Sequence, residues 1–329
     1  MKNSLLRMSG LLVFAGIAAC GDITTVAPIA PTMSVASATR SVAAEPSGEI
    51  ATISPYLAQL NDELDAAGSD IRNAKAELLM DGNGWDGVSS TIVIANDRFR
   101  GIGAEWVPGD PRRAGRIGVN YQVRQALQPT TRDPDGSNVR LVPFSQLDTQ
   151  IEEGMQAWRD QGCSAPITRV PVSNAPTDIY QLGWFPKQQF WAIAGGDTLV
   201  GNRIIGVTLS AIFVDAVTRV PTDIDRNGKA DLGRSQILYN NRFYWGATAA
   251  PNVVDFYSII THETGHGVGL GHFGKVFANA KDLNPNGTIP AAAIKYAPLA
   301  IMNAVYVTGR GEIRGTDHSS FCQIWASAK

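Results

Sequence analysis

Apolar positions along this chain follow two rhythms. From Ser54-Pro55 they take a helical spacing: Leu57, Leu60 and Leu64 share one face, behind a serine suited to capping and a proline suited to the first turn. Gly68-Ser69 interrupts the run. Ile71, Ala74 and Leu78 resume it, and Asp81-Gly82-Asn83-Gly84 closes it with turn chemistry. The pattern predicts a helical arm over residues 49–87. Strand-like runs follow at Thr91 to Ile94, Ile117 to Val123 and Val139 to Val142. Ser145 with Asp148 three residues on fits a capping box, ahead of a helix carrying Leu147, Ile151, Met155 and Trp158 and stopped by Gly162. More strand-like runs lie at Ile167 to Val172, Ile204 to Val214 and Ile237 to Trp245. Asp255 then suits the N-cap of a helix whose Phe256, Ile259 and Ile260 face inward. This order of elements predicts an α+β domain built on a mixed sheet. There is no internal repeat.

Composition adds a soluble body and an export signal. The chain has 329 residues, 44% hydrophobic and 18% charged, enough for one large domain and an accessory segment. Lys2 and Arg7 precede a short apolar stretch from Met8 to Ala19, too short to span a bilayer, and no second long apolar run follows. Ile17-Ala18-Ala19-Cys20 resembles the lipobox of bacterial lipoprotein signals, which makes Cys20 the lipidated first mature residue. Gly21 in the next position favours the outer membrane or cell surface. Residues 1–19 are then the signal, 20–48 a flexible tether rich in Ala, Ser, Thr and Pro, 49–87 the helical segment and 88–329 the main domain. Loss of Lys2 and Arg7 leaves 26 basic residues of 28 against 30 acidic ones, a net charge of −4. A mildly acidic chain without a basic stripe is not a nucleic-acid binder. Membrane contact is through the lipid alone, and the sequence does not define an oligomeric state.

The chemistry concentrates in residues 262–272, His-Glu-Thr-Gly-His-Gly-Val-Gly-Leu-Gly-His. His262 and His266, four apart on a helix, project from one face and can share a zinc ion. Glu263 stands close enough to bond a metal-bound water without being a ligand. A helix ending near Gly267, with Gly269 at positive φ, swings His272 back as third ligand. Three neutral imidazoles leave one tetrahedral position for water, whose pKa zinc lowers to about 7. Three of the chain's four histidines lie in these eleven residues, which makes the extended motif a strong signal.

With these residues the chain resembles the metzincin zinc endopeptidases, the matrixins above all, over about residues 115 to 329. The match is carried by His262, Glu263, His266, Gly269 and His272, and by Ala300-Ile301-Met302-Asn303 as the Met-turn. The resemblance implies a zincin-like α+β fold: a twisted mixed sheet, an early helix ending in Trp158, the zinc helix, and a closing helix around Phe321 to Trp325. It implies that zinc polarises the scissile carbonyl, that Glu263 is the general base, and that Met302 packs below the ligands. It further implies a protein or peptide substrate lying along an edge strand near Ile237 to Tyr244, with Phe273 to Ile301 shaping a pocket. The chain departs from the family pattern in several places. Phe273 follows the third histidine in place of the matrixin serine, and the stretch from His272 to Met302 is long. Ala304 stands where several metzincins have tyrosine, so no role passes to Tyr306. With no cysteine between Cys20 and Cys163, latency through a zinc-bound cysteine is not available.

Residues 223–231 alternate Asp223, Asp225 and Asn227, followed by Gly228 and Asp231. They read as the first half of a calcium loop or as a polar turn. Arg234 stands where an EF-hand has its closing glutamate. Cys163 and Cys322, an even pair in an exported chain, form either a disulfide or two free thiols, with the disulfide favoured. His318 beside Asp317 fits a capping or surface role. Trp184, Phe185, Phe190 and Trp191 read as core before binding surface. Two readings compete with a peptidase: a non-catalytic zinc-containing binding or adhesion module of the same fold, against which the intact Glu263 speaks, and a zinc hydrolase acting on non-peptide bonds, against which the third-ligand spacing speaks.

Overall fold

The Ile204–Phe213 strand, ten residues all buried, is the central element of the main sheet. The computed structural model describes residues 48–81, 91–97, 101–125, 127–133, 138–173, 175–248, 250, 253–279, 293–306 and 312–326. Ile204–Phe213 pairs antiparallel with Ile71–Asp81 on one side and with Ala230–Asn240 on the other. From Ala230–Asn240 the sheet continues in parallel through Ile179–Phe185, Val119–Val123 and Ile167–Arg169. At the opposite end Val305–Tyr306 pairs parallel to Ile71–Asp81. The sheet is therefore mixed, and the architecture is α+β, as the hydrophobic pattern predicts.

Helices cover both faces. Phe144–Arg159 and Phe256–Gly267 lie on one face, where Leu147, Ile151, Met155, Trp158, Ile259 and Ile260 join the largest core cluster. The two helices touch closely: a Cβ added at Gly154 would sit 2.5 Å from the Ile260 side chain. The buried Trp158 indole donates to the Thr261 carbonyl at 2.8 Å, so the early helix holds the later one by a directed bond as well as by packing. On the opposite face Leu78, Val207, Leu209, Phe190 and Ile193 form a second cluster, with Tyr56, Leu57 and Leu60 from the Gly48–Ala66 helix packed on it. Of the four aromatics expected in the core, Trp184 and Phe190 are fully buried, whereas Phe185 and Trp191 are half-buried. Among the described residues no helix is long and apolar enough to cross a membrane.

Several expectations need correction. The helix begins at Gly48 and contains Pro55, so Ser54 does not cap it. It stops before Gly68, which takes a φ of 66° that closes the helix at little steric cost. Residues 71–81 are a strand, not more helix. Their period-two pattern is hidden because both faces are covered: Ala76, Leu78 and Met80 meet the back cluster while Leu79 joins the front one. Residues 71–81 of the 49–87 segment form an interior strand of the main sheet. The 144–159 helix has Pro143 at its N-cap with no side-chain cap; Asp148 instead pairs with Arg169 at 2.5 Å. The strand ahead of the histidine-motif helix, Ala230–Asn240, is not an edge, since it is paired on both sides. Residues 1–47, with the signal, Cys20 and most of the tether, lie outside the described residues, as do residues 82–87 of the expected arm and 280–292 of the expected pocket wall.

Candidate metal centre

The motif helix forms where its cap predicts. Asp255 accepts from the Ser258 amide at 2.7 Å, and the helix runs Phe256–Gly267. Tyr306 donates its hydroxyl to Asp255 at 2.5 Å, tying the helix start to the segment after Met302. Gly269 has a φ of 106°, and the chain reverses there. Behind the helix, a Cβ at Gly265 would lie 2.4 Å from Met302 Sδ and 2.9 Å from Trp158. Glycine at this position lets the buried Met302 pack directly against the helix backbone.

The three histidines converge. Their Nε2 atoms form a triangle with sides of 3.0 Å (His262 to His266), 3.1 Å (His262 to His272) and 3.1 Å (His266 to His272). Each Nδ1 has its own acceptor: the Ile301 carbonyl at 2.6 Å for His262, the Leu270 carbonyl at 2.8 Å for His266, and Glu77 Oε2 at 3.1 Å for His272. These bonds place the proton on Nδ1 and leave lone pairs on all three Nε2 atoms. Three lone pairs facing one another at this distance repel, unless a cation sits among them. A tetrahedral zinc, with Zn–N about 2.0–2.1 Å, spaces its nitrogens by about 3.3–3.4 Å, within a few tenths of an ångström of this triangle. The donor set therefore fits zinc.

Glu263 stands beside the cluster with one oxygen engaged and one not. Thr208 donates to its Oε2 at 2.7 Å, whereas the buried Oε1 has no hydrogen-bond partner. Oε1 lies over Gly206, where a Cβ would come within 2.5 Å. Burial pushes the Glu263 carboxyl up to about 8, against the Thr208 hydroxyl and His272, and Glu77 adds to the rise. A divalent cation among the histidines opposes that shift. Burial holds His266 down to about 3, so its imidazole is neutral and able to ligate. Burial works to raise the Glu77 carboxyl too, but the neighbouring His272 outweighs it and the net shift is downward.

The sequence reading missed Glu77, Thr208 and Asp317. Asp317 accepts from the amides of Ile301 and Met302 at 3.0 and 3.2 Å and so shapes the turn below the histidines. A lone acid inside the apolar run Ala76 to Met80 was the available signal for Glu77. His262, Glu263, His266 and His272 are all buried, with exposures of 1, 0, 0 and 5%. The cluster is thus covered in this fold.

The other candidates fall elsewhere. Asp223, Asp225 and Asp231 bring oxygens within 4.8 Å of one another, a second group able to hold a cation. Its oxygens are engaged within the protein: Asp231 by Arg112 and Thr222, both at 2.6 Å, and Asp223 by the Asn227 and Gly228 amides. Asn227 turns its amide to Glu105 and Asp225. Cys163 and Cys322 form a disulfide. His318 is exposed and bonds Gln161 at 2.9 Å.

No family profile matches the chain, and no curated protein matches it. Among solved structures it is similar to a chain of the GM1-bound form of the ECX AB5 holotoxin, at 13% identity over 72% of this chain and 79% of that one, with a TM-score of 0.26.

Proposed function

We propose that the protein is a zinc-dependent endopeptidase of metzincin type and zincin-like fold, exported and held to a membrane by lipid on Cys20, acting on extracytoplasmic proteins. The observation that carries this reading is the triangle of three Nε2 atoms with Glu263 beside it, one carboxylate oxygen fixed and the other free of protein donors. Zinc held by His262, His266 and His272 supplies a Lewis acid for the scissile carbonyl and acidifies water. Thr208 fixes the Glu263 rotamer through Oε2. Glu263 takes the proton of the attacking water at Oε1 and passes it to the leaving amine. Ile301, Leu270 and Glu77 orient the three rings through Nδ1. The Cys163–Cys322 bridge suits an oxidising compartment, in keeping with export.

The burial of all four site residues favours a second reading, a zinc-containing binding module that does no chemistry. The two separate by zinc content and by cleavage of a denatured protein, comparing wild type with Glu263→Gln. The peptidase reading expects one zinc per chain in both and cleavage lost only in the variant, by about two or more orders of magnitude. Equal cleavage in both removes Glu263 from its role; zinc with no cleavage under any condition leaves the binding module.

A further inference from the structure

We propose that Cys163, His318 and Cys322 form a second, redox-gated metal site, which takes a thiophilic dication of the zinc class when the Cys163–Cys322 bridge is reduced and is closed while the bridge stands. The proposal is independent of the peptidase reading.

Two segments assemble the site. His318 and Cys322 lie four residues apart on the Gly315–Ala326 helix and share one of its faces, the spacing that lets two side chains hold one ion. Cys163 comes from the loop after the Phe144–Arg159 helix, just past Gly162, whose φ of 68° turns the chain. Two sulfurs and an imidazole nitrogen, one ligand atom from each residue, lie within 4.8 Å of one another. The imidazole is also aimed. Gln161 donates its side-chain amide to the Ala157 carbonyl at 2.8 Å, which leaves Oε1 to face His318 Nδ1 at 2.9 Å. That oxygen can only accept, so Nδ1 carries the proton. Nε2 keeps its lone pair and stands 3.5 Å from Cys322 Sγ. A bridge that only staples two segments needs neither an imidazole at its sulfur nor an amide to orient that imidazole.

The two states exclude each other because they use the same sulfurs. In the bridge neither sulfur is a thiolate, the form that binds metal. A dithiol reductant breaks the S–S bond: two electrons and two protons pass to Cys163 and Cys322, and the reductant closes into its own disulfide. The cation then displaces both thiol protons to solvent and forms two bonds to sulfur and one to His318 Nε2. Two thiolates balance its charge, and the open side at the exposed His318 leaves a fourth position for water. Sulfurs on a tetrahedral zinc stand about 3.8 Å apart, a separation that side-chain rotation reaches from Cα atoms 4.9 Å apart. The helix keeps its seat without the bridge. Phe321 packs on Trp158 with ring centroids 5.1 Å apart, and Asp317 holds the amides of Ile301 and Met302. Both cysteines are half-buried, so a small reductant and an ion reach them from solvent.

The test uses the full chain with zinc already supplied to the histidine cluster. It is compared with the bridge intact and after reduction by a phosphine that is then removed without air. Cobalt(II), standing in for zinc, is titrated into both forms and followed by sulfur-to-metal charge-transfer absorption, a signal that the three-histidine cluster cannot give. The proposal expects one further ion per chain with that absorption in the reduced form and none in the oxidised form. Loss of an outer partner of a ligand costs about 10–100-fold in affinity, so His318→Ala, which removes the ligand itself, is expected to weaken cobalt binding by on the order of a hundredfold. A reduced chain without the absorption overturns the proposal, as does one that loses its fold on reduction. Equal affinity in His318→Ala overturns it too, since the thiols then bind without the imidazole. A chain that takes no zinc at the histidine cluster yet shows the absorption after reduction supports this site and defeats only the peptidase reading.

Discussion

Thr208 donates its hydroxyl to Glu263 Oε2 at 2.7 Å, and the same threonine is the register partner of Glu77. One residue of the central strand thus links the carboxylate beside the histidines to the strand that covers them. Thr208→Val keeps the shape and removes the donor, leaving a fully buried carboxylate oxygen unbonded. The expected loss is about 1–3 kcal/mol of unfolding free energy. Chemical denaturation checks it; an unchanged midpoint and slope would remove this bond from the account.

Gly265→Ala separates two opposing effects. Alanine favours a helix over glycine by about 1 kcal/mol. The new methyl, however, would lie 2.4 Å from Met302 Sδ and 2.9 Å from Trp158, both fully buried. Overpacking of this kind costs about 1–3 kcal/mol, so the variant is expected to be less stable. Thermal unfolding reads the sign directly, and a stabilised variant would mean that Met302 does not press on the helix.

Much of this site can be read from the sequence because its signals are local. The Asp255 cap, the four-residue spacing of His262 and His266, and the glycine at 269 each act within one or two turns. The same holds for Leu147, Ile151, Met155 and Trp158, whose spacing marks the buried face of the early helix. The strand at 71–81 is different. Its partners lie more than a hundred residues away, and burial on both faces removes the alternation that marks a half-exposed strand. Whether Ala230–Asn240 is an edge depends in turn on what pairs beyond it, which no local pattern records. Glu77 meets His272 only once both of those choices are made.

Acid stability should depend on Asp178. Burial works against its charged form, but bonds to Arg113, itself buried, and to Arg116 hold its carboxyl below the ordinary 3.8. A depressed folded-state pKa adds stability that is full above the unfolded value and is lost as pH falls through the folded one. The wild-type stability should therefore drop below about pH 4 more steeply than that of Asp178→Asn. At neutral pH the variant should be weaker by about 3–5 kcal/mol, since Arg113 is left buried without its partner. Parallel stability–pH curves for the two proteins would contradict this.

The Cys163–Cys322 bridge spans 159 residues and fastens the Gly315–Ala326 helix to the loop after the early helix. Replacing both cysteines by serine is expected to cost about 2–5 kcal/mol. The loss should show as a lowered melting temperature that reducing agent reproduces in wild type and does not deepen in the variant.

The account depends most on the metal, and X-ray absorption at the zinc edge of the purified chain tests that most directly, together with zinc content. The prediction is one zinc per chain with a first shell of nitrogen and oxygen at about 2.0–2.1 Å, three of the scatterers imidazole, and no sulfur. His266→Ala should abolish stoichiometric binding. A chain that takes up no zinc, or one whose zinc shows sulfur ligands and survives loss of His266, would contradict the assignment of this cluster as a metal centre.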